Sequence, residues 1–564
     1  MSATLTINSH STPATPGPTL FDYAEQLNIP VPTSCRKNGK CKECIVEVTE
    51  GLSLLTPPTD QEKHLKGNFR LSCQASLTTN DGLVKCHTMR RGQMRIENSA
   101  TGLPLRDLQL DPAVTRDGDR ILLDNIEIAI STQPIHGLAM DLGTTTCVLR
   151  LFNLETGKLI ADTSFENPQR FGGSDVMSRI QYDTDNGDFL LMRTLAGYLT
   201  HAIESFPVDP KTIYELVVVG NSTMRDLFFR LDVYPIGQTP YRSITEIELE
   251  EGKRTTTAVE MTGKRSLLPI HPKARVYGAP IISGHVGADA AACMLAIDLA
   301  SEPRTVCVMD IGTNTELILG NKDRILAASC PAGPAFEGGA ISCGMPGLDG
   351  AIESVHINDD NSFQLGVIGN IPPQGICGSG LVDAMSELLR TNLMNEYGRF
   401  DTGSPKITLD EKNNIYLLES DINELAQAKG ANVAGLQVIM DAYSHPPSSP
   451  HSSFIIHPSS FDSIDLFYLA GGFGRHLDVA ASKRIGLIPN LPDHKILRVG
   501  NAAIEGASIA LLSKSKRHQL EELVRRVEHC RLETHPNFFD FFVEGCQFKP
   551  VESNQEASSL NPEN

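Results

Sequence analysis

The chain has 564 residues, which at roughly 100–200 residues per domain predicts about three or four domains. Its 68 acidic and 49 basic side chains give a formal net charge of −19. A surface this acidic repels phosphate groups, which argues against nucleic-acid binding and against docking on anionic membranes. The sequence contains no run of 18 apolar residues and does not begin with a basic segment followed by an apolar one, so we expect no membrane span and no secretory signal.

Thirteen cysteines, an odd number, fit a reducing cytoplasm better than a disulfide framework. Four of them have the spacing of cluster ligands: Cys35, Cys41 and Cys44 lie in one loop, and Cys73 follows after 28 residues. Plant-type ferredoxins ligate two iron atoms with the spacing C-x4-C-x2-C…C, one residue shorter in its first gap than the C-x5-C-x2-C found here. A four-cysteine zinc site is the alternative, but such sites normally pair two C-x2-C hooks and only one is present.

The segments around this loop point to the same kind of site. Before it, LFDYAEQLNI has the apolar spacing of a helix, and after it IVEV alternates like a strand. With RLSCQ around Cys73, these residues resemble the 2Fe–2S ferredoxin fold, which implies that the four cysteines hold the cluster. Cys86 is a candidate replacement for one ligand, although a small buried apolar residue is its usual role. We therefore predict a ferredoxin-type domain over 1–92, then a linker over 93–136 in which ILLDNIEIAI is strand-like.

Two later segments, which lie 169 residues apart, repeat each other. In LAMDLGTTTCVLRLF and VCVMDIGTNTELILG, an apolar strand ends at Asp141 or Asp310, a Gly-Thr turn follows, and an alternating strand returns. The tip of such a hairpin exposes N–H groups and hydroxyls that suit phosphate oxygens, and the aspartate can hold Mg²⁺ through water. The turn residues are Gly143, Thr144, Thr145 and Thr146 in the first hairpin and Gly312, Thr313 and Asn314 in the second.

A third glycine-rich turn follows the apolar strand of IDLFYLAGGFGRHLD, at Gly471, Gly472 and Gly474. Glycines there let the backbone approach a flat ligand such as a nucleobase or ribose. One such turn alone is weak support for a site, but three in this order are much stronger. No G-x4-G-K-[ST] motif occurs, which excludes a P-loop. The three turns resemble those of the actin, sugar kinase and heat-shock chaperone ATPase superfamily, in which two lobes clasp ATP.

Four further stretches narrow the resemblance: VVVGNSTMRDLFF, GHVGADAAACM, PAGPAFEGGAISCGMPG and GICGSGLVDAM. With the ferredoxin segment, they resemble the reductive activators of corrinoid proteins. The resemblance implies an α/β plus α+β chain: a β-grasp ferredoxin-type domain followed by a two-lobed actin-like (ribonuclease H-like) ATPase over 137–549, whose lobes divide near residue 300. Some relatives carry an extra small domain between the two parts, where this chain has only about 45 residues.

The resemblance implies ATP-driven, one-electron reduction of cobalt(II) to cobalt(I) on a corrinoid protein of a methyltransferase system, with a 2Fe–2S cluster, ATP and Mg²⁺ as cofactors. Asp141 and Asp310 would position Mg²⁺ and the attacking water, while the hairpin turns would bind phosphate. Glu337 is a candidate for orienting water, although acidic loop residues are usually only solvated. An upstream low-potential electron donor, a cytoplasmic location and a homodimer are also expected.

Two other functions remain open at this point. A redox-sensing regulator would bind ATP without partner-stimulated hydrolysis, and a small-molecule kinase of the same superfamily would phosphorylate a metabolite. The glycines of GICGSG serve either phosphate binding or tight helix–strand packing. Near the C-terminus, we predict a helix in EELVRRVEHCRLE, a core segment in FFDFFVEGCQF and a disordered tail over 550–564, and SHPPSSPHSS at 444–453 is predicted to be an exposed loop.

Overall fold

A computed structural model describes residues 3–90, 108–445, 461–472 and 474–551. They divide into two units: the first holds the chain up to Ala279 together with Ala510–Lys514, and the second holds most of the chain from Pro280 onward. Across the described ranges, every helix is too short or too polar to cross a membrane.

The N-terminal part of the first unit is a five-stranded sheet with one helix, the β-grasp arrangement predicted for it. The strand order is β2-β1-β5-β3-β4. The elements are β1 (Ala3–Ile7), β2 (His10–Ala14), α1 (Leu20–Gln26), β3 (Ile45–Glu50), β4 (Phe69–Leu71) and β5 (Leu83–Thr88). Helix α1 begins after Thr19, whose hydroxyl accepts from the N–H of Asp22 while the Asp22 carboxylate accepts from the N–H of Thr19. The cysteine loop therefore connects a capped helix to a buried strand.

A small three-stranded antiparallel sheet follows the ferredoxin-type fold: β6 (Val114–Asp117), β7 (Arg120–Leu123) and β8 (Ile126–Ile130). The hairpin predicted from ILLDNIEIAI is β7 and β8. The third strand, β6, was not predicted. It pairs with β7 because the chain reverses at Gly118, whose φ of +65° is open to glycine at no steric cost. Residues 93–107 of the predicted linker lie outside the described residues.

The rest of the first unit, here called the first lobe, is built on a six-stranded sheet in the order β11-β10-β9-β12-β14-β13. Strands β9, β10 and β11 are antiparallel neighbours, while β12 and β14 run parallel to β9. The strands are β9 (His136–Leu142), β10 (Thr146–Asn153), β11 (Leu159–Glu166), β12 (Ile213–Val219), β13 (Val259–Thr262) and β14 (Arg275–Gly278). The helices are α2 (Val176–Asn186), α3 (Leu190–Glu204), α4 (Ser222–Phe229), α5 (Ile244–Glu250) and α6 (Gly263–Ser266).

The second unit has a six-stranded sheet in the order β24-β23-β15-β16-β17-β25. Its strands are β15 (Val306–Asp310), β16 (Thr315–Gly320), β17 (Ile325–Cys330), β23 (Leu466–Ala470), β24 (Ile496–Gly500) and β25 (Val527–His529), and smaller sheets contain β18 (Ala351–Ile357), β19 (Phe363–Val367), β20 (Gly375–Ile376), β21 (Lys406–Asp410) and β22 (Ile415–Leu418). The helices from this point of the chain are α7 (Ala288–Ala296), α8 (Gly378–Arg390), α9 (Glu419–Ser444), α10 (Val479–Arg484), α11 (Ala502–Leu512), α12 (Lys514–Val524) and α13 (Phe538–Gly545).

The two large sheets share one core topology, which confirms the internal duplication. In each, three consecutive antiparallel strands are followed by two strands parallel to the first: β11-β10-β9 with β12 and β14, and β17-β16-β15 with β23 and β24. In both sheets, the repeated Asp-Gly-Thr segment forms the hairpin between the first two strands. The motif therefore occupies the same structural position twice.

Two predictions near the C-terminus are wrong in part. EELVRRVEHCRLE is helical only to Val524. The helix ends there because the following residues form β25, which pairs in parallel with β17. FFDFFVEGCQF forms α13, but only part of the segment is core: Phe548 is buried while the Phe539 side chain is 71% exposed.

The predicted exposed loop and the predicted disordered tail lie largely outside the described residues, at 446–453 and 552–564. Val551, at the start of the predicted tail, is described, and its backbone is hydrogen-bonded. Its carbonyl accepts a hydrogen bond of 3.1 Å from the N–H of Asn490. The described residues therefore include the first two residues of the predicted tail.

Candidate iron–sulfur and nucleotide sites

The four cysteines predicted as ligands lie together as two pairs of thiols. Cys35 contacts Cys41, and Cys44 contacts Cys73 through side-chain hydrogen bonds. The bond with Cys44 lowers the pKa of Cys73 to about 6 and, in turn, raises the pKa of Cys44 far above its usual range. Two pairs of cysteines are the donor set that a cluster with two iron atoms requires, with one pair for each iron.

The loop between α1 and β3 brings these thiols together by turning tightly. Gly39 has a φ of +78°, and a Cβ there would lie 3.1 Å from side-chain atoms of both Gln61 and Gln74. Gln74 also donates from Nε2 to the Sγ of Cys73 at 3.4 Å. In the described part of the chain, no three His, Cys, Asp or Glu side chains are arranged around a single metal position.

Cys86 is separate from this donor set. It lies in β5 and is fully buried in the core of the ferredoxin-type fold, where its backbone pairs with Ile7 and Val48. Burial raises the pKa of its thiol to about 12. Cys86 therefore has the properties of a small apolar core residue.

The first phosphate-type hairpin joins β9 to β10. The N–H of Gly143 donates to the carbonyl of Thr146 at 2.9 Å, which closes the turn. Asn167 braces the tip from outside: its Nδ2 donates to the carbonyl of Gly143 at 2.8 Å, and its backbone N–H donates to the carbonyl of Thr145 at 2.6 Å. Asp141 lies at the end of β9 and is half-buried. The brace therefore holds the tip through the carbonyl oxygens of Gly143 and Thr145.

The loop before α4 also packs against this hairpin. Gly220 has a φ of +149°, and a Cβ there would lie 2.4 Å from the carbonyl oxygen of Leu142. Asn221 caps α4 by accepting from the N–H of Met224 and donates from Nδ2 to the Thr144 hydroxyl at 2.8 Å. Sequence analysis singled out the GNST stretch, but the residue type alone did not show which turn it contacts.

Asp310 occupies the equivalent position at the end of β15, and it is half-buried like Asp141. Burial raises the pKa of its carboxyl to about 6, although the Cys293 thiol, on α7, opposes this shift by donating to Oδ2 at 3.3 Å. The third predicted turn reaches the same carboxylate, since a Cβ on Gly471 would lie 2.8 Å from its Oδ1. The second hairpin and the third glycine turn therefore meet at Asp310.

Two more acids lie near Asp310 and were not predicted. Burial, reinforced by the charges of Asp289 and Asp310, raises the pKa of Glu316 well above its usual range. The Glu316 carboxyl accepts a hydrogen bond of 3.2 Å from the Ser329 hydroxyl. These two acids could not be assigned to the site from the sequence, because Asp289 lies on α7 and Glu316 is a single acid in an otherwise apolar strand. The only sequence signal for them was the stretch GHVGADAAACM, which contains Asp289.

Thr313 at the tip of the second hairpin donates a hydrogen bond from its hydroxyl to the carboxylate of Glu337. Its carbonyl accepts from the N–H of Gly333 at 2.9 Å. Glu337 is therefore held at the predicted phosphate turn rather than simply solvated. Asn314 follows in the same turn, and its carbonyl oxygen would lie 3.2 Å from a Cβ on Gly312.

The remaining predicted glycines differ in what surrounds them. A Cβ on Gly380 would lie 2.3 Å from the carbonyl of Ile352, and one on Gly375 would lie 2.6 Å from that of Cys343. Two of the three glycines of the GICGSG stretch therefore serve close backbone packing, and Gly380 does so between α8 and β18. Gly474 has more room, since the nearest atom to its Cβ position is 3.5 Å away, and Gly472 is half-exposed.

Family models match three successive parts of the chain. A 2Fe-2S iron-sulfur cluster binding domain matches residues 5–78, the RACo middle region matches 136–302, and the C-terminal domain of RACo, the ASKHA domain, matches 304–559. These matches confirm the predicted fold class, and they support an iron–sulfur cluster in the first part and nucleotide binding in the last.

Named relatives resemble the chain over most of its length. The corrinoid activation enzyme RamQ of Eubacterium limosum is 29% identical, and the match covers 93% of this chain and 95% of that protein. The [Co(II) methylated amine-specific corrinoid protein] reductase of Methanosarcina barkeri is 24% identical, covering 72% and 76%. A solved structure of a reductive activator for corrinoid, iron-sulfur protein superposes with a TM-score of 0.69 at 24% identity, covering 97% of this chain and 99% of that one.

Proposed function

The chain belongs to the RACo family, and from this premise we propose that it is an ATP-dependent reductive activator of a corrinoid protein. It carries the cluster-binding domain, the middle region and the C-terminal ASKHA domain of that family in order. It would transfer one electron to cobalt(II) on a partner protein of a methyltransferase system and so form cobalt(I). The names of the two relatives, a corrinoid activation enzyme and a Co(II) corrinoid protein reductase, support this activity.

The observation that carries the proposal is the presence in one chain of a four-thiol site and a duplicated Asp-Gly-Thr hairpin. Cys35, Cys41, Cys44 and Cys73 would hold a [2Fe–2S] cluster, which supplies one-electron transfer when bound. An electron carrier alone needs no nucleotide. A plant-type centre has a potential near −400 mV, and each further 100 mV uphill costs about 2.3 kcal/mol per electron. Coupling to ATP is therefore useful when the acceptor is harder to reduce than the cluster.

The nucleotide would be held by the hairpin turns. We assign phosphate contacts to the N–H and hydroxyl groups of the two turns, and contacts with the adenosine moiety to the third glycine turn. The proposed residues are Gly143, Thr144, Thr145, Thr146, Gly312, Thr313, Asn314, Gly471, Gly472 and Gly474. Hydrolysis of this kind depends on positioning and on charge stabilisation rather than on covalent chemistry.

Asp141 and Asp310 are the proposed catalytic carboxylates, positioning Mg²⁺ and the attacking water. Mg²⁺ is usually bound through one or two carboxylates together with water and substrate phosphates, so it does not require a preformed cage of acids. Asp310 suits this task because the Cys293 thiol orients its Oδ2 while Gly471 leaves space beside its Oδ1.

Three further features belong to the proposal. A low-potential donor protein would reload the cluster, and we expect a homodimer from the family resemblance. We also propose a cytoplasmic location, with which the free thiols of all thirteen cysteines are consistent.

The test combines reconstituted, reduced protein with ATP, Mg²⁺ and a corrinoid protein held in the cobalt(II) state, under anaerobic conditions. Cobalt(I) absorbance should increase only when the protein and ATP are both present. The Asp310→Asn variant should retain the visible cluster spectrum and the nucleotide but should form little or no cobalt(I).

Two results would contradict the proposal and indicate another function. Hydrolysis in proportion to a phosphorylated metabolite would indicate a kinase, and ATP binding with no partner-stimulated hydrolysis would indicate a sensor. Cobalt(I) formation at the same rate without ATP would remove the role of the nucleotide.

A further inference from the structure

The cysteine loop contacts α3 of the first lobe, within the same unit. Arg193, on α3, donates from Nη2 to the backbone carbonyl of Cys41 at 2.7 Å. At the next position of the loop, the ammonium group of Lys42 pairs with the Asp188 carboxylate at 3.2 Å. One positive and one negative side chain of the first lobe therefore lie beside a proposed cluster ligand.

This contact is closely packed. Gly197 lies one turn further along α3, and a Cβ at this position would lie 2.7 Å from the Cβ of Pro32. The helix can approach the ferredoxin-type fold this closely because position 197 has no side chain. The buried Tyr198 hydroxyl accepts a hydrogen bond of 3.1 Å from the N–H of Met89. Contacts on both sides of the loop therefore hold α3 in place.

The two charged contacts are partly shielded from solvent. The Arg193 side chain is 32% exposed and that of Asp188 is 30% exposed. Glu43 lies 3.9 Å from the Nε of Arg193 and is the other acid at this contact. Charges in such positions are screened less than fully exposed ones, so each retains a measurable effect on a neighbouring redox group.

We propose that Arg193 and Asp188 are positioning residues of the first lobe that shift the reduction potential of the cluster in opposite directions. This inference depends on the cluster assignment made in the proposed function. The one-electron reduction of the cluster adds one negative charge. The Arg193 guanidinium stabilises that charge, whereas the Asp188 carboxylate opposes it by neutralising Lys42. The electron comes from the upstream donor and leaves to cobalt(II), so no other reactant is needed.

The experiment is an anaerobic redox titration of the full-length reconstituted protein, in which EPR and visible absorbance measure the reduced fraction. At the midpoint potential of the unaltered protein, Arg193→Gln should lower the ratio of reduced to oxidised cluster by about two- to fivefold. Asp188→Asn should raise it by a similar factor. Arg193→Lys keeps the charge and should stay close to the unaltered protein. Arg242→Gln removes the same charge from a residue paired with Glu250 elsewhere in the first lobe and is the matched control.

The opposite signs separate this proposal from a purely structural role. If the contact only shields the cluster from water, breaking it through either residue would shift the potential in the same direction, and that result would overturn the inference. Potentials equal to that of the unaltered protein in both variants would overturn it as well. If Arg193→Gln does not retain a cluster, the increase expected for Asp188→Asn decides the question. An unaltered protein that forms no cluster refutes the proposed function itself, whereas a normal cluster with unshifted potentials refutes only this inference.

Discussion

At the residue scale, Cys44 and Cys73 form the more deeply buried thiol pair of the proposed cluster site. We predict that Cys44→Ser abolishes the visible spectrum after anaerobic reconstitution, because a neutral hydroxyl replaces a thiolate that ligates iron. ATP binding should be unchanged, since the hairpins lie in other sheets. Absorbance spectroscopy and a fluorescent-nucleotide titration on the same sample measure both properties.

Cys86 provides the matched control, because it is buried in the same fold without contacting the other thiols. Cys86→Ala should retain the full spectrum, with a small loss of stability from the smaller side chain. If Cys44→Ser kept its colour while Cys86→Ala lost it, the ligand assignment would be wrong.

The four cysteines could be proposed as ligands from their spacing in the sequence, because three of the four lie within ten residues of one another. The groups around Asp310 could not be predicted in the same way. Cys293 reaches it from α7, and Glu316 belongs to a strand that is otherwise apolar. Both contacts depend on how distant segments pack, which local residue patterns do not encode.

At the scale of elements, the conformation of the first hairpin depends on a segment outside it. Asn167→Ala removes the side-chain bond to the Gly143 carbonyl and leaves the turn free to change conformation. We expect nucleotide affinity to fall by about two- to thirteenfold, which corresponds to the loss of one hydrogen bond of about 0.5–1.5 kcal/mol. Isothermal titration with a non-hydrolysable ATP analogue measures this change.

Asn153→Ala is the control for this prediction. Asn153 lies at the far end of β10 and accepts hydrogen bonds from the N–H groups of Glu155 and Thr156 in a different turn. Its replacement should leave affinity unaltered. Equal affinities in the unaltered protein and Asn167→Ala would mean that the brace does not contribute to binding.

The contact between α9 and α13 depends on a buried lysine. Lys429 on α9 donates from Nζ to the carbonyls of Gly545 and Gln547, at the end of α13. Lys429→Met removes both bonds, and we expect the free energy of unfolding to fall by about 1–3 kcal/mol at neutral pH. Urea denaturation followed by circular dichroism measures the difference.

The same lysine predicts a pH dependence. Burial lowers the pKa of Lys429 to about 7, against an ordinary value of 10.5. Between these two values the unfolded chain binds more protons than the folded one, so the contribution of this group to stability increases as the pH rises from about 7 toward 10. The unaltered protein should therefore gain stability relative to Lys429→Met between pH 7 and pH 9. A constant or shrinking difference would show that the lysine stays charged in the folded protein.

The predicted elements succeeded where the pattern was repeated and failed where it was ambiguous. The Asp-Gly-Thr hairpins occur twice, and both form in equivalent sheets. By contrast, VEH near the end of EELVRRVEHCRLE has no periodicity of its own. It becomes β25 because it pairs with the edge of β17. This pairing depends on tertiary structure and cannot be read from the local sequence.

At the scale of the whole molecule, one short segment connects the ferredoxin-type fold to the first hairpin. Asn167 braces the hairpin, and three residues later Arg170 pairs with Glu47 on β3 at 2.7 Å. Two residues before Asn167, the Phe165 ring lies 5.2 Å from the Arg90 guanidinium. One segment of six residues, 165–170, therefore contacts both the first hairpin and the ferredoxin-type fold.

This arrangement predicts that the ferredoxin-type fold and the first lobe stabilise each other through Glu47 and Arg170. Their side chains are only 17% and 14% exposed, so the pair is screened less than a surface pair. In a double-mutant cycle of Glu47→Gln and Arg170→Gln, we expect a coupling energy of about 1 kcal/mol, measured from the urea concentration at which cluster absorbance is lost. The exposed pair of Asp60 and Lys63 in the same domain is the control and should show no coupling. Additive effects of the two substitutions would mean that this ion pair does not contribute to the contact between the ferredoxin-type fold and the first lobe.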